Sequence, residues 1–458
     1  MRGAGPCSGD LMRKSVASFA SLLLICQLSV PLYAMQKPTA GQKALAITHI
    51  TIIDVTGGQP QNDMTVIIEG GHIVAVGKSK RLRTRKGVQE VDATGKFLIP
   101  GLWDMHTHIG DDDFDKRTYL PLFLANGVTG IRIMWGSPAH HLWRKEIESG
   151  TTSGPRMVIA SRVIDGPKSF LSGAVVVRNE AEAREAVRQA KQEGADFVKV
   201  HDEVPRDAYF ALADEARRLG LPVEGHVPKS ITAAESSVAG QKSIEHLTGL
   251  PVAEADSASA RALFASFKKN HTWQCPTLIM RHNYSFLNDG SLAGDSRLKY
   301  VEPSRRKRWL NYMNSESSKL SAAEWSRRQE GFRKEEELVG KMTKAGVGIL
   351  AGTDNNNPYC LPGFSIHDEL ALLVEAGLTP AEALKSATLN PAIFLNLLDK
   401  LGTVEAGKAA DMVVLDANPL EDIRNTKKVN AVVIGGRFLN RKTLDEMLAK
   451  VEAAVNQK

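Results

Sequence analysis

Cysteine is scarce in this chain, four among 458 residues, and that scarcity excludes a disulfide-stapled scaffold. Cys7 and Cys26 fall in the first 34 residues, and Cys26 follows Ile25, where a lipid-attachment site needs a small residue. Cys275 and Cys360 remain; two separate buried thiols are expected, with one disulfide the alternative in an oxidising compartment. No apolar run reaches the ~20 residues that a membrane-spanning helix needs. Charge is only mildly one-sided, +6 overall, and no basic cluster with interleaved aromatics occurs, so nucleic acid is not an expected partner. A glycine-rich phosphate loop is also missing after the first strand of the α/β pattern, which counts against a doubly wound dinucleotide-binding sheet.

The chain starts with a leader-like pattern. Met12-Arg13-Lys14 precedes an apolar stretch, 15–30, and then Pro31-Leu32-Tyr33-Ala34. A basic start, a short apolar middle and a small residue before cleavage describe a secretory signal over 1–34. They imply a periplasmic or secreted protein with no stable membrane insertion after cleavage; an N-terminal anchor is the competing reading. Segments 44–55, 64–69 and 72–76 are β-rich, with Gly70-Gly71 as a hairpin turn. Apolar runs then alternate with helical patterns, the mark of βα units and a parallel sheet. The expected strands are 97–108, 128–135, 157–164, 197–201, 222–227, 243–247, 273–278 and 347–354, with a long helical stretch over 305–344. The fold class is therefore α/β, a (β/α)8 barrel over 97–398. A small β-sandwich domain is built from both chain ends, 44–96 and 399–440, and 441–458 is a charged helix or a loose tail.

Chemistry concentrates at the strand ends. The first strand closes on Asp104-Met105-His106-Thr107-His108. Side chains two apart on a strand share a face, roughly 6.6–6.8 Å apart along the backbone, so both imidazoles address one spot, as a Zn²⁺ ion requires. Further along lie Lys199 in the apolar run Phe197-Val198-Lys199-Val200, Gly225-His226, Glu245-His246 and Gly352-Thr353-Asp354. Each has a bland reading: a histidine satisfied by backbone, an aspartate capping a helix. A lysine inside an apolar strand is harder to dismiss, because lysine is almost never fully buried without a partner. All six belong at the end of the barrel where active sites form.

With these motifs, together with Gly71-His72-Ile73-Val74-Ala75-Val76-Gly77, Pro100-Gly101-Leu102, Leu389-Asn390-Pro391-Ala392 and Gly407-Lys408-Ala409-Ala410-Asp411, the chain resembles the amidohydrolase superfamily. The likeness is to its imidazolonepropionase-like and prolidase-like branch, which includes Xaa-Pro and Xaa-Arg dipeptidases. The resemblance implies His106, His108 and Asp354 on one divalent metal ion and His226 and His246 on a second, Zn²⁺ being the expected ion. Lys199, carbamylated by CO₂, would bridge them; a mononuclear site with a plain Lys199 amine is the competing arrangement. It also implies a hydroxide generated on the metals, with Asp354 as general base and then acid. The expected substrate is a small molecule with an amide or peptide-like bond, such as a dipeptide or N-acyl amino acid. Lactone or phosphoester hydrolysis, or a non-catalytic metal- or ligand-binding barrel, are the alternatives. No acid follows His226 in His226-Val227-Pro228-Lys229, which counts against deamination. His201, Arg281, His282 and Tyr284 are candidates for substrate contact, with ordinary loop chemistry the preferred reading for each singly, and His140, His141 and the 283–325 insert are candidates for shaping the mouth. A homo-oligomer stays open.

Overall fold

The computed structural model describes residues 43–457; the leader expected at 1–34 lies outside them. Among the described residues no helix is long and apolar enough to cross a membrane.

Strands from both ends of the chain meet in one hydrogen-bonded sheet. Its order is Arg437–Asn440, Val429–Ile434, Met412–Leu415, Phe97–Pro100, Leu45–Ile52, Gln61–Glu69, His72–Lys78, with Gln89–Asp92 paired to Leu45–Ile52 off that path. Alternate residues (Val66 and Ile68, Met412 and Val414, Leu45 and Ile47) bury one face in a core of their own, as strand periodicity requires. The turns Gly70-Gly71 and Gly435-Gly436 have φ of 57° and 80°, and 55° and 79°, the left-handed pair that a two-residue hairpin needs.

The run 97–108, read as one strand from its apolar continuity, is two. Phe97–Pro100 pairs with Met412–Leu415 in the sheet just described, whereas Leu102–Thr107 pairs in parallel with Val128–Ile133. Gly101 makes the break: its N–H donates to Asp411 O, and a Cβ there would lie 1.9 Å from Thr129 Oγ1.

The parallel strands form two sheets. One orders Leu102–Thr107, Val128–Ile133 and Arg156–Ile159; the other orders Val175–Val176, Ile164–Asp165, Val198–Val200, Val223–Gly225, Gln241–Glu245 and Trp273–Cys275. Single bridges join Ala160 to Phe197 and Gln274 to Ile349. Segment 347–354 forms no strand of its own, but Met105 N donates to Ala351 O (2.9 Å) and Asp354 N to His106 O (2.8 Å). The expected continuous eight-stranded ladder is thus met only as an α/β arrangement of parallel strands with narrower contacts between two sheets. Leu102–Thr107 and Val128–Ile133 are buried at every position, the pattern of parallel strands covered on both faces.

Helices cover the outside. Glu180–Gln192, capped by Asn179 accepting from Glu182 N, buries Ala183, Ala186, Val187 and Ala190, and Arg206–Leu219 answers with Ala208, Ala211 and Leu212. Small residues at i, i+3, i+4 and i+7 let the two pack closely. The stretch read as one helix over 305–344 is two, Pro303–Lys319 and Ala322–Lys344, the second opened by a capping box of Ser321 and Glu324. The last segment is a docked helix, Arg441–Asn456, whose Val451 and Val455 pack on Phe114 and Leu122.

Candidate active site

Because the strands run parallel, their C-terminal ends share one rim, and the six residues singled out in the sequence lie along it. Several positions there take left-handed backbone: Asp354 at φ 52°, His246 at 58°, Leu247 at 57° and Thr277 at 49°. For non-glycine residues this conformation is uncommon and concentrates at functional sites.

Three histidines are held the same way. His106 Nδ1 donates to Glu245 Oε2 at 2.8 Å and His226 Nδ1 to Asp202 Oδ1 at 2.7 Å. His246 Nδ1 lies 2.7 Å from Thr277 Oγ1, whose own hydroxyl donates to Pro276 O, so the imidazole is the donor. With Nδ1–H engaged, each Nε2 keeps its lone pair free, the tautomer a metal ligand needs. His106 Nε2 is buried without a hydrogen-bond partner. Asp354 sits among these nitrogens, its Oδ1 3.4 Å from His106 Nε2 and 3.0 Å from His108 Nε2, its Oδ2 3.8 Å from His246 Nε2. Ring centroids are 4.5 Å apart for His106 and His246 and 5.0 Å for His226 and His246.

Electrostatics agree with neutral imidazoles around an ionised carboxylate. Burial pushes His106 and His226 down to about 4, and His246 well below its ordinary value. Burial opposes the Asp354 charge, yet His106, His246 and His108 hold the carboxyl below the usual range. Lys199 is 2% exposed, and burial lowers its amine. Gly225 on the next strand, at φ +130°, makes room for it; a Cβ there would lie 2.3 Å from Val200 O and 3.1 Å from Lys199 Cδ.

His106, His246 and Asp354 offer ligand atoms all within 4.8 Å of one another, as do His201, Asp202 and His226. His106, Glu245 and Cys275 form a third such group, but the Glu245 carboxylate is already engaged: Arg132 Nη2 reaches both its oxygens, at 2.9 and 3.0 Å. The donor set fits a cation, since neutral imidazoles and one carboxylate converge on a common point with a buried lone pair unspent.

Other expected contacts fall elsewhere. Arg281 is ion-paired with Glu335, and His282 stacks on Phe286 at 4.6 Å. Arg281 through Glu335, and His282 through an edge-on contact with Phe332 at 5.4 Å, brace the helix Leu278–Ser285 against Ala322–Lys344 instead of facing substrate. His140 is buried, its Nε2 3.1 Å from Ile109 O, so it holds the loop after His108. Tyr284 OH donates to Asn357 Oδ1 at 2.9 Å, and the His201 ring lies 4.2 Å from that of His226, tilted by 36°; both stay near the site. The backing residues Glu245, Asp202, Thr277 and Arg132 escaped the sequence reading. The signal for Arg132 was a lone charge in Val128-Thr129-Gly130-Ile131-Arg132-Ile133.

The amidohydrolase family model matches residues 97–439. Ochratoxinase from Aspergillus niger is 25% identical over 449 residues, covering 83% of this chain and 84% of its own. The solved structure of bottromycin amidohydrolase superposes with a TM-score of 0.74 at 26% identity, over 92% of this chain and 93% of that one. A putative prolidase from Bifidobacterium longum superposes with a TM-score of 0.70 at 24% identity, over 89% and 99%. The chain belongs to the amidohydrolase family of enzymes.

Proposed function

We propose that the chain hydrolyses an amide or peptide-like C–N bond of a small substrate, a dipeptide or N-acyl amino acid, at a centre of two divalent cations. His106, His108 and Asp354 would hold one and His226 and His246 the other, with Lys199 between them as a carbamate. The observation that carries the reading is the shared tautomer: three imidazoles tethered through Nδ1, with the Nε2 atoms of His106 and His246 near Asp354 and that of His106 buried and unpartnered. The names of bottromycin amidohydrolase and the prolidase point the same way.

Cations held by these residues would supply Lewis acidity, lowering the pKa of water and polarising the scissile carbonyl. The remaining work belongs to the chain. Asp354 accepts the proton of the attacking water and returns it to the leaving nitrogen. Lys199, whose amine burial lowers, would in its neutral form add through Nζ to CO₂ with loss of a proton; the resulting carboxylate supplies negative charge that an ammonium could not. A (β/α)8 barrel over 97–398, flanked by the sheet from 44–96 and 399–440, is the architecture of this reading. The bridges at Ala160 and Gln274 and the hydrogen bonds from 347–354 to the first strand support it. Secretion to the periplasm or beyond is part of the same proposal and rests on the 1–34 pattern.

The test is chelation and reloading. Metal-stripped protein should lose activity on a panel of dipeptides and N-acyl amino acids and regain it with zinc, and native mass spectrometry should find one extra CO₂ per metal-loaded chain. No turnover in either form across the panel would overturn the hydrolase reading, and the absence of CO₂ at full metal loading would overturn the bridge.

A second prediction concerns Asn355, which is fully buried. Its Oδ1 accepts from His108 N and its Nδ2 donates to His108 O, both at 2.9 Å, so one side chain fixes His108 beside Asp354. Asn355→Ala is expected to weaken zinc binding about 10- to 100-fold, measured by competition with a chromophoric chelator. Unchanged affinity would remove Asn355 from the metal-positioning set.

A further inference from the structure

Among the described residues, Phe170 has the most exposed large apolar side chain, at 78%. A single surface phenylalanine is ordinary; its position is not. It belongs to the loop 166–174, which leaves Ile164–Asp165 at the rim and returns as Val175–Val176. The Phe170 ring meets His201 edge-on at 5.7 Å, and His201 lies 4.2 Å from His226. From there ring contacts run on to His246 and His106 at 5.0 and 4.5 Å. An unbroken file of rings thus connects an exposed phenyl to the candidate metal ligands.

The loop is braced where it begins. Asp165 is fully buried, and its carboxylate accepts from His201 Nδ1 (3.1 Å), Gly166 N (2.8 Å) and Glu203 N (2.7 Å). Gly166 passes so near the next strand's end that a Cβ would fall 1.7 Å from Glu203 O. At the far side Gly173 lies over Trp135, a Cβ there sitting 3.7 Å from Cζ2. The loop therefore leaves and re-enters beside Ile164–Asp165, its return tied by Val175 N donating to Val163 O and Val177 N to Asp165 O, both at 2.8 Å, and holds the phenyl out before any ligand arrives. Preorganised aromatic surface beside a reaction centre favours a partner that stacks on it.

We propose that Phe170 determines specificity, offering a platform on the His226 side of the site to an aromatic acyl group of the amide substrate. This rests on the metal-centre reading above, and the experiment separates the two. Benzohydroxamate and acetohydroxamate are titrated by calorimetry into the zinc-loaded full chain, its Phe170→Ala variant and its Phe170→Tyr variant. The unsubstituted chain should prefer the benzoyl compound about tenfold, Phe170→Ala about twofold, and Phe170→Tyr should restore the preference. Kinetics on matched N-benzoyl and N-acetyl amino acids should show the same change of ratio, carried by KM. An unchanged ratio, or an equal loss for both acyl groups, overturns the proposal while leaving the metal centre standing. If neither hydroxamate binds, the metal-centre reading fails and the proposal falls with it.

Discussion

Asp354→Asn is expected to lower kcat/KM about 100- to 10,000-fold while the protein still folds. Asparagine is the discriminating replacement because the backbone at 354 is left-handed, φ 52°, a conformation that asparagine tolerates better than most residues. The main-chain bond from Asp354 N to His106 O survives the change. What disappears is the negative charge 3.0 Å from His108 Nε2 and 3.4 Å from His106 Nε2, and with it a group able to accept and return a proton. Zinc content measured beside the kinetics separates the two roles assigned to Asp354. A variant that keeps the metal content of the unsubstituted chain yet has lost kcat identifies the proton carrier; one with less metal identifies a ligand. Activity within tenfold of the unsubstituted chain would dismiss Asp354 from either role.

Local periodicity made part of this site readable. The two-residue spacing of His106 and His108 and a lysine in an apolar strand are short-range signals, and the structure gathers those residues at one rim. The groups that orient them are not local. Glu245 reaches His106 across 139 positions, Thr277 reaches His246 across 31 and Asp202 reaches His226 across 24, so no window of sequence shows the pairing. Glu245 stood beside His246 in the motif itself and was passed over, because its partner belongs to a different strand. Element boundaries failed for a related reason. Gly101 breaks a continuous apolar run on account of Thr129, a tertiary contact. Gln89–Asp92, polar at most positions, is a strand only because it pairs with Leu45–Ile52. The break between the two helices of the insert was legible, since Ser321 and Glu324 form a capping box, but a run of strong helix formers hid it.

Removing the Arg132 cation should cost about 3–5 kcal/mol of stability, the largest loss expected from a single side chain away from the rim. Arg132 is fully buried. Its Nη1 donates to Glu224 Oε2 at 2.6 Å and to Ser243 Oγ at 2.9 Å, its Nε to Met105 O at 2.5 Å, and its Nη2 to Glu245. Burial disfavours the guanidinium charge, and Glu245 and Glu224 more than reverse that. Arg132 in turn holds Glu245 below the ordinary carboxylate range against the same burial. Arg132→Met fills much of the volume but takes from Glu245 and Glu224 the cation bonded to both, leaving Lys242 as the cation acting on Glu224, and a buried carboxylate stripped of its partner is costlier than a buried pair. The melting temperature should fall by roughly 3–6 °C. Adding Glu224→Gln should recover part of the loss, because one of the two buried carboxylates is then gone. The same substitution should reach the rim. Without Arg132, Glu245 is driven toward its protonated form and accepts less strongly from His106 Nδ1, so His106 loses the bond that fixes its tautomer. Zinc affinity in Arg132→Met should therefore drop together with melting temperature, and Glu224→Gln should restore stability more than affinity, since Glu224 does not touch His106. Equal recovery of both would mean that Arg132 supports the site only by supporting the fold.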